Sequence, residues 1–478
     1  METRLPRHLA LPPAAATRIL AWLLVVAAAS PSLAAPSKAF VFGTDWTTGS
    51  LSAVDLAPRT SHCDVSSPAS DASLRFFGGR LYVVNRFGGD NVQVVNPATY
   101  ATALQFSVGN GSNPHDIAFA SATKAYVTRY ESADLWIVNP QTGAHMGTIS
   151  LAAFADADGN PEMDRLVMVG PLLFVSLERI NRPGGYVPDD TALVAVVDTR
   201  ADTLVDCDPA LPGRQAIRLQ LANPVTTFQF DRASSRLLIG CAGIYGVLDG
   251  GIEWIDPVNL ASGGVAITEA ELGGDVGDVV WRDAQKSYAI VADLAGNTSL
   301  VRWRATDGEL LGTLWSPGGY SLSDAELNDA GELWVCRNSF SGSALRVYSV
   351  ANDTQSGADL HCTLPPTAIT FDAATAQVAG VAPGAAVLAF APPSPNPARG
   401  TTRLSVTLAE AGELRLEVFD AGGRRVRALA AGERAAGVHA FAWDLRDDGG
   451  RRVPPGLYLA RCAAGGTALV RRVVAIGR

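Results

Sequence analysis

One short phrase recurs seven times along this chain: an apolar strand, then a second strand ending in a turn. The first strands read AFVFGT from Ala39, LYVVNR from Leu81, AYVTRY from Ala125, LFVSLER from Leu173, LLIGCA from Leu237, YAIVAD from Tyr288 and LWVCRN from Leu333. Their partners are SLSAVDL, NVQVVNPAT, DLWIVNPQTG, ALVAVVDTRADT, GIEWIDPVN, SLVRWRATDG and ALRVYSVAND. Most intervals are about 40 to 50 residues, the period of four-stranded blades stacked around an axis. Such units bury their apolar faces only against one another, so residues 36–390 are expected to form an all-β, seven-bladed β-propeller. The interval from Leu173 to Leu237 is 64 residues; it predicts a long loop or an extra hairpin and leaves six or eight blades open. Thr367 to Ala379 reads as strand, turn and strand. Ala368 to Asp372 is expected to supply the inner strand missing ahead of Phe40 and so seal the ring.

The first residues do not share this pattern. Arg4, Arg7 and Arg18 precede an apolar run from Ile19 to Ala29, and Ser32, Ala34 and Ala35 follow. That is the layout of a secretory signal peptide, residues 1–35; the alternative is a retained N-terminal anchor. No later stretch reaches membrane-spanning length, so a soluble extracytoplasmic protein is expected. Six cysteines, Cys63, Cys207, Cys241, Cys336, Cys362 and Cys462, include no C-x-x-C pair and define no connectivity; Cys241 and Cys336, inside apolar strands, read as buried thiols.

Charge divides the chain. Residues 36–390 carry 21 Lys or Arg against 38 Asp or Glu, a balance of −17, whereas 391–478 carry 14 against 8, a balance of +6. An acidic propeller repels phosphate backbones, which excludes nucleic acid as its partner. The tail's arginines are scattered among alternating strands and read as a solvated sheet face. The proline-rich segment 391–397 is expected to be an extended, stiff linker. Beyond it, 398–478 has alternating strands separated by Asp420-Ala-Gly-Gly, Asp447-Asp-Gly-Gly and Ala464-Gly-Gly, turns in which glycine supplies positive φ. This predicts a small antiparallel Ig-like sandwich.

Two resemblances follow. Val94-Val-Asn-Pro-Ala-Thr, Val108-Gly-Asn-Gly-Ser-Asn-Pro-His-Asp-Ile-Ala-Phe and Ala125-Tyr-Val-Thr together resemble the YVTN family of β-propeller repeats. The resemblance implies a secreted or periplasmic surface protein that binds through its propeller, and it names no ligand. Ser394-Pro-Asn-Pro-Ala-Arg-Gly, Gly412-Glu-Leu-Arg-Leu-Glu-Val-Phe-Asp-Ala-Gly-Gly, Trp443-Asp-Leu-Arg-Asp-Asp-Gly-Gly and Pro455-Gly-Leu-Tyr resemble the FlgD-like immunoglobulin domain and the C-terminal sorting tails of the type IX secretion system. Those tails direct an exported domain to the cell surface. The ending Arg471-Arg-Val-Val-Ala-Ile-Gly-Arg departs from their pattern by carrying arginine where lysine is common.

Two groups of residues invite chemistry. Asp156, Asp158, Asn160, Glu162 and Asp164 place an oxygen donor at every second position, a pattern that can converge on calcium, although Gly159 and Pro161 depart from an EF-hand loop. The alternative is a solvated Gly-Asn-Pro turn. His115 and Asp116 open an inner strand, and Asp278 and Asp324 occupy similar places in later units; they are candidates to line a ligand-binding channel or, alternatively, to bond neighbouring blades. Histidines lack metal-ligand spacing, no G-x-S-x-G elbow is present, and Trp136, Trp254, Trp303 and Trp334 are expected to pack blade on blade. The expected function is therefore that of a secreted or cell-surface binding protein, non-enzymatic, with a protein, glycan or small-ligand partner and a tail that sorts or adheres. The alternative is an extracytoplasmic propeller lyase or quinoprotein-like dehydrogenase with its site at the channel mouth.

Overall fold

The computed structural model describes residues 37–182, 184–188, 192–372, 388–390, 393, 395–408, 412–420, 422–435, 437–464 and 467–477, all within the compact unit Ala35–Arg478. The leader 1–35 and the second strand expected before Ala379 lie outside the described residues. The fold is all-β; its helical content among those residues is the single turn Glu269–Leu272 and a 3-10 turn at Ala152–Phe154.

The repeated phrases form strands buried along nearly their whole length, as in Lys38–Thr44 and Leu172–Leu177. A strand covered on both faces needs unbroken apolar residues rather than alternation, which is why these runs are so rich in Val, Leu, Ile and Phe. The outermost strands Thr102–Ser107 and His145–Ser150 instead expose most of their residues. Up to Phe371 the described strands form seven antiparallel sheets of four or five strands, a propeller-like arrangement. A separate hairpin pairs Ile180–Asn181 with Val187–Pro188 and, with the added strand Ile217–Arg218, takes up the long interval before Leu237. Pro366–Phe371 pairs with Lys38–Thr44, placing Phe371 opposite Ala39 and Thr370 opposite Phe40. A strand from the end of the repeat region thus completes the sheet begun at its start, as expected.

Seven apolar clusters lie among the described residues of this region, and each is shared by two neighbouring sheets. One joins Val41 and Val54 of the first sheet to Trp334, Leu345 and Val347 of the seventh. Trp303 and Trp334 are fully buried in such seams, and Trp136 and Trp254 pack against theirs, as expected. Each fully buried side chain of this size contributes roughly 1.5–3 kcal/mol.

Polar bonds add direction to these contacts. Asn96 and Asn139 open their turns by accepting from the backbone two residues on, at 2.9 Å in both cases. Gly143 closes the second turn at φ 73°, where a Cβ would fall 2.5 Å from the Cβ of Phe106 in the neighbouring sheet. Only glycine combines that conformation with that approach. Elsewhere the turn is gripped by the adjacent sheet: Lys286 Nζ and the Tyr288 hydroxyl each reach Asp353 at 2.7 Å. Lys124 and Tyr126 make the same pair of bonds to Asp202. In these two phrases the tyrosine is a fastener between sheets.

The C-terminal strands form two sheets, one joining Leu388–Phe390, Thr402–Leu408 and Gly437–Trp443, the other joining Arg425–Arg434, Gly412–Asp420, Gly456–Ala464 and Thr467–Ala475. They share one core of Leu404, Val406, Leu414, Leu416, Val418 and Cys462 around a fully buried Trp443, whose ring meets Tyr458 edge-on at 5.3 Å. Both polar tips are satisfied: Trp443 Nε1 donates to Arg446 O at 2.9 Å and the Tyr458 hydroxyl to Pro454 O at 2.7 Å. One boundary changes here: Leu388–Phe390, placed by sequence in the repeat region, is a strand of this sandwich. In the segment 391–397, expected to be an extended, stiff linker, Asn396 is tied to the last strand, donating to Arg472 O at 2.9 Å and accepting from Val474 N at 2.8 Å. The side-chain amide there supplies the bonds that the proline backbone cannot.

Candidate functional site: one end of the inner strands

Antiparallel pairing puts the loop between the second and third strands of each sheet at the same end as the connection into the next sheet. That end gathers His115 and Asp116 from one connection, residues 151–162 from another, and Arg86, Tyr130 and Glu178 from second-to-third loops. His115 is buried; its Nδ1 lies 2.7 Å from Asp164 Oδ1 and its Nε2 2.9 Å from Arg86 Nη2. Its ring stacks on Tyr130 with centroids 4.1 Å apart. Arginine can only donate, so it engages the Nε2 lone pair and leaves the proton on Nδ1, facing the carboxylate. Burial, followed by the Arg86 charge, depresses the imidazole pKa to about 4 despite Asp164, and His115 is neutral.

Asp164 also pairs with Arg165, Nε to Oδ2 at 3.1 Å, and Asp164 and then Asp116 keep that guanidinium charged against burial. The Tyr130 hydroxyl donates to Glu178 Oε2 at 2.6 Å. Burial, reinforced by the Asp164 charge, pushes Glu178 up to about 8, so this acid holds a proton near neutrality while Asp164 stays ionised.

The three aspartates singled out by position share one task. Asp116 Oδ2 accepts from Leu166 N at 2.9 Å, Asp278 Oδ2 from Ala325 N at 2.9 Å and Asp324 Oδ2 from Ile369 N at 2.7 Å. Each therefore reaches the inner strand of the following sheet. Asp116 also takes an ion pair from Arg75 at 2.7 Å across the preceding seam. Gln229 plays the same part for Trp281 N, at 3.3 Å. Burial raises both Asp278 and Asp324, the latter to about 6.

The oxygen donors weighed as a calcium set, with a solvated turn as the alternative, take separate partners. Asp156 and Asp158 accept from backbone N–H groups two residues on, at 3.0 and 2.9 Å. Asn160 donates to Tyr130 O at 2.8 Å, Glu162 accepts from Ile180 N at 3.0 Å, and Asp164 faces His115. The chain turns at Glu162, φ 45°, and enters the inner strand at Met163, which separates the last donor from the rest. Arg182 brings the positive charge instead: its Nε lies 3.3 Å from Glu162 Oε1 and 3.9 Å from Asp158 Oδ2, and it also pairs with Glu131. Among the described residues no group of three or more His, Cys, Asp or Glu side chains is arranged to hold a metal.

Sequence reasoning missed Arg86, Tyr130 and Glu178, although each stands within three residues of the end of a repeated strand, inside the phrases LYVVNR, AYVTRY and LFVSLER. It also missed a set of exposed rings. Trp46, Phe87, Tyr186, Tyr245 and Phe340 lie in second-to-third loops of five different sheets, and Tyr320 in the connection from the sixth sheet to the seventh; all are at least 67% exposed. Leu294, 68% exposed, occupies the corresponding loop of the sixth sheet. No aromatic residue is exposed to this degree elsewhere among the described residues.

Residues 394–467 match the family model described as the FlgD Ig-like domain. The basal-body rod modification proteins FlgD of Salmonella typhimurium and Salmonella typhi are each 38% identical over 91 residues, 18% of this chain and 39% of their own length. The chain thus spans about two fifths of the length of these curated relatives. Among solved structures, hydrazine synthase of Kuenenia stuttgartiensis aligns at TM-score 0.45 and 13% identity, over 62% of this chain and 87% of that one. The dihydro-heme d1 dehydrogenase NirN aligns at 0.45 and 13%, over 70% and 75%. PorZ, a surface component of the type IX secretion system of Porphyromonas gingivalis, aligns at 0.33 and 14%, over 90% and 64%. Sequence and strand order together establish a propeller-like, all-β region followed by a C-terminal FlgD Ig-like domain.

Proposed function

We propose that this chain is an extracytoplasmic, seven-bladed propeller that binds a protein partner on the rim of exposed rings described above, carried by a tail that sorts or adheres. Seven shared cores and the strand that completes the first sheet support the blade number. The confinement of exposed aromatic side chains to one end carries the binding reading. Aromatic residues on rigid loops present large contact area at small entropic cost, and they dominate the energetics of protein interfaces together with arginine, here Arg86, Arg129 and Arg182. The YVTN-like blade agrees with surface binding, and the sorting-tail resemblance gives the Ig-like domain its role.

Photo-crosslinking side chains placed at Phe87 and Tyr245, compared with the opposite end at Arg80 and Glu309, test this on whole cells. A discrete protein adduct from the first pair alone is expected, lost on Trp46→Ser with Phe340→Ser and lost from the cell surface when residues 388–478 are removed. Equal adducts from both ends overturn the reading, and a carbohydrate adduct assigns the rim to a glycan. Glu178 favours a second reading, an enzyme with its site at this mouth, because a carboxyl poised near 8 beside a neutral histidine suits proton transfer. Turnover abolished by Glu178→Gln with the adduct retained would favour that alternative.

A further inference from the structure

The seam between the seventh and first sheets holds two cysteines. Cys63 is exposed on the outer strand Arg59–Ser66 of the first sheet; Cys362 is buried in the segment that leads from the seventh sheet to Pro366–Phe371. They are far apart in sequence and adjacent in space. Cys63 Sγ donates to His361 O, the carbonyl just before Cys362, at 3.4 Å, and Thr363 Oγ1, just after it, donates to Asp64 Oδ2 at 2.6 Å, which sets the two cysteines side by side. A β-bulge lies at this point: Leu51 pairs with Ser66 but Ala53 with His62, and Asp64 takes φ 54°. Bulges re-aim side chains, and this one brings Cys63 beside the incoming segment. That segment is itself anchored to the seventh sheet by the bridge between Leu345 and Leu360.

We infer that Cys63 and Cys362 form a disulfide that fastens the strand completing the first sheet. The bond would join the outer strand of the first sheet to the seventh, across the seam that otherwise holds by packing and hydrogen bonds. Cys362 has another thiol nearby, Cys336, but that side chain is fully buried within Glu332–Arg337 and no oxidant reaches it. The chemistry needs a disulfide oxidant, a protein or small-molecule R–S–S–R. The exposed Cys63 thiolate attacks one sulfur and expels RS⁻, giving a mixed disulfide. Cys362, whose thiol burial pushes up to about 12, gives its proton to the departing thiolate and attacks the Cys63 sulfur, expelling the second RS⁻. Two thiols are oxidised, and one R–S–S–R becomes two R–SH. In the cell this rests on the extracytoplasmic reading, because disulfides persist where the compartment is oxidising.

The test separates the geometry from the compartment. Purified, reduced protein is incubated with oxidised glutathione, alkylated, digested without reduction and mapped. A peptide pair linking Cys63 to Cys362 is expected, together with a melting midpoint raised by about 5 °C or more. The rise should vanish in Cys63→Ser and in Cys362→Ser. A persistent glutathione adduct on Cys63, or a Cys336–Cys362 link, overturns the proposal. The same link formed in vitro but reduced in protein taken from cells would count against export and leave the pairing standing.

Discussion

The propeller-like region and the Ig-like sandwich are both antiparallel β, yet they bury different things. The ring encloses His115, Asp116, Glu162, Asp164, Glu178, Glu253, Glu269, Asp275 and Asp278, whereas the one polar residue buried to that degree beyond residue 387, among the described residues, is Thr402. The difference follows from closure. A sandwich presses two sheets together over one core, and non-directional burial around Trp443 suffices. A ring must hold each sheet in register with two neighbours, and apolar packing, being non-directional, does not by itself fix that register. Carboxylates that reach the next strand's N–H, as Asp116, Asp278 and Asp324 do, provide the directional bond that packing does not.

Trp443→Ala should sharpen this contrast most, at a cost of about 3–5 kcal/mol to the sandwich. Scanning calorimetry of the full chain is expected to show a lowered or absent sandwich transition beside an unchanged propeller transition. Equal shifts in both would show that the two regions melt as one. Asp116→Ala should cost the ring about 3 kcal/mol or more, since it strands Arg75 and the N–H of Leu166 in a buried seam. Urea denaturation followed by fluorescence reads the loss, and an unchanged midpoint would break the comparison.

The smallest expected effect is one of pH, and its sign is set by the ring. Glu162 and Glu178 are raised to about 8, Glu269 to about 7 and Asp324 to about 6, each chiefly by burial, so the folded state binds more protons than the unfolded one from about pH 4 to 8. His115, depressed to about 4 by burial, acts oppositely between there and its ordinary value of 6.5. Four carboxyls outweigh one imidazole, and propeller stability should fall as pH rises from 5 to 8. Asp324→Asn should flatten the lower part of that slope, below about pH 6, while keeping an acceptor for Ile369. A sandwich transition that fell equally over this range would show that the buried acids are not the cause.

The seven strands, the seam tryptophans and the strand that completes the first sheet were legible because burial on both faces leaves an uninterrupted apolar run, and runs repeat at a measurable period. The tail's turns were legible because positive φ selects glycine. The position of its first strand was not, since Leu388–Phe390 is three apolar residues whose partner lies across the proline segment. The candidate site divides the same way. His115, Asp116, Asp278 and Asp324 could be nominated from their places at strand starts, but the aspartates' partners are backbone groups about 45 to 50 residues on and those of His115 are the side chains of Asp164 and Arg86, and no local pattern marks bonds of that span. The separate partners of Asp156 to Asp164 were not legible either, because alternation implies one shared face only while the chain stays extended, and Glu162, at φ 45°, turns it. The approach of Cys63 to Cys362 and the gathering of six exposed rings at one end belong to the folded chain alone: closing the ring brings residues some 300 positions apart into contact, and antiparallel pairing within each sheet sends the ring-bearing loops to one end.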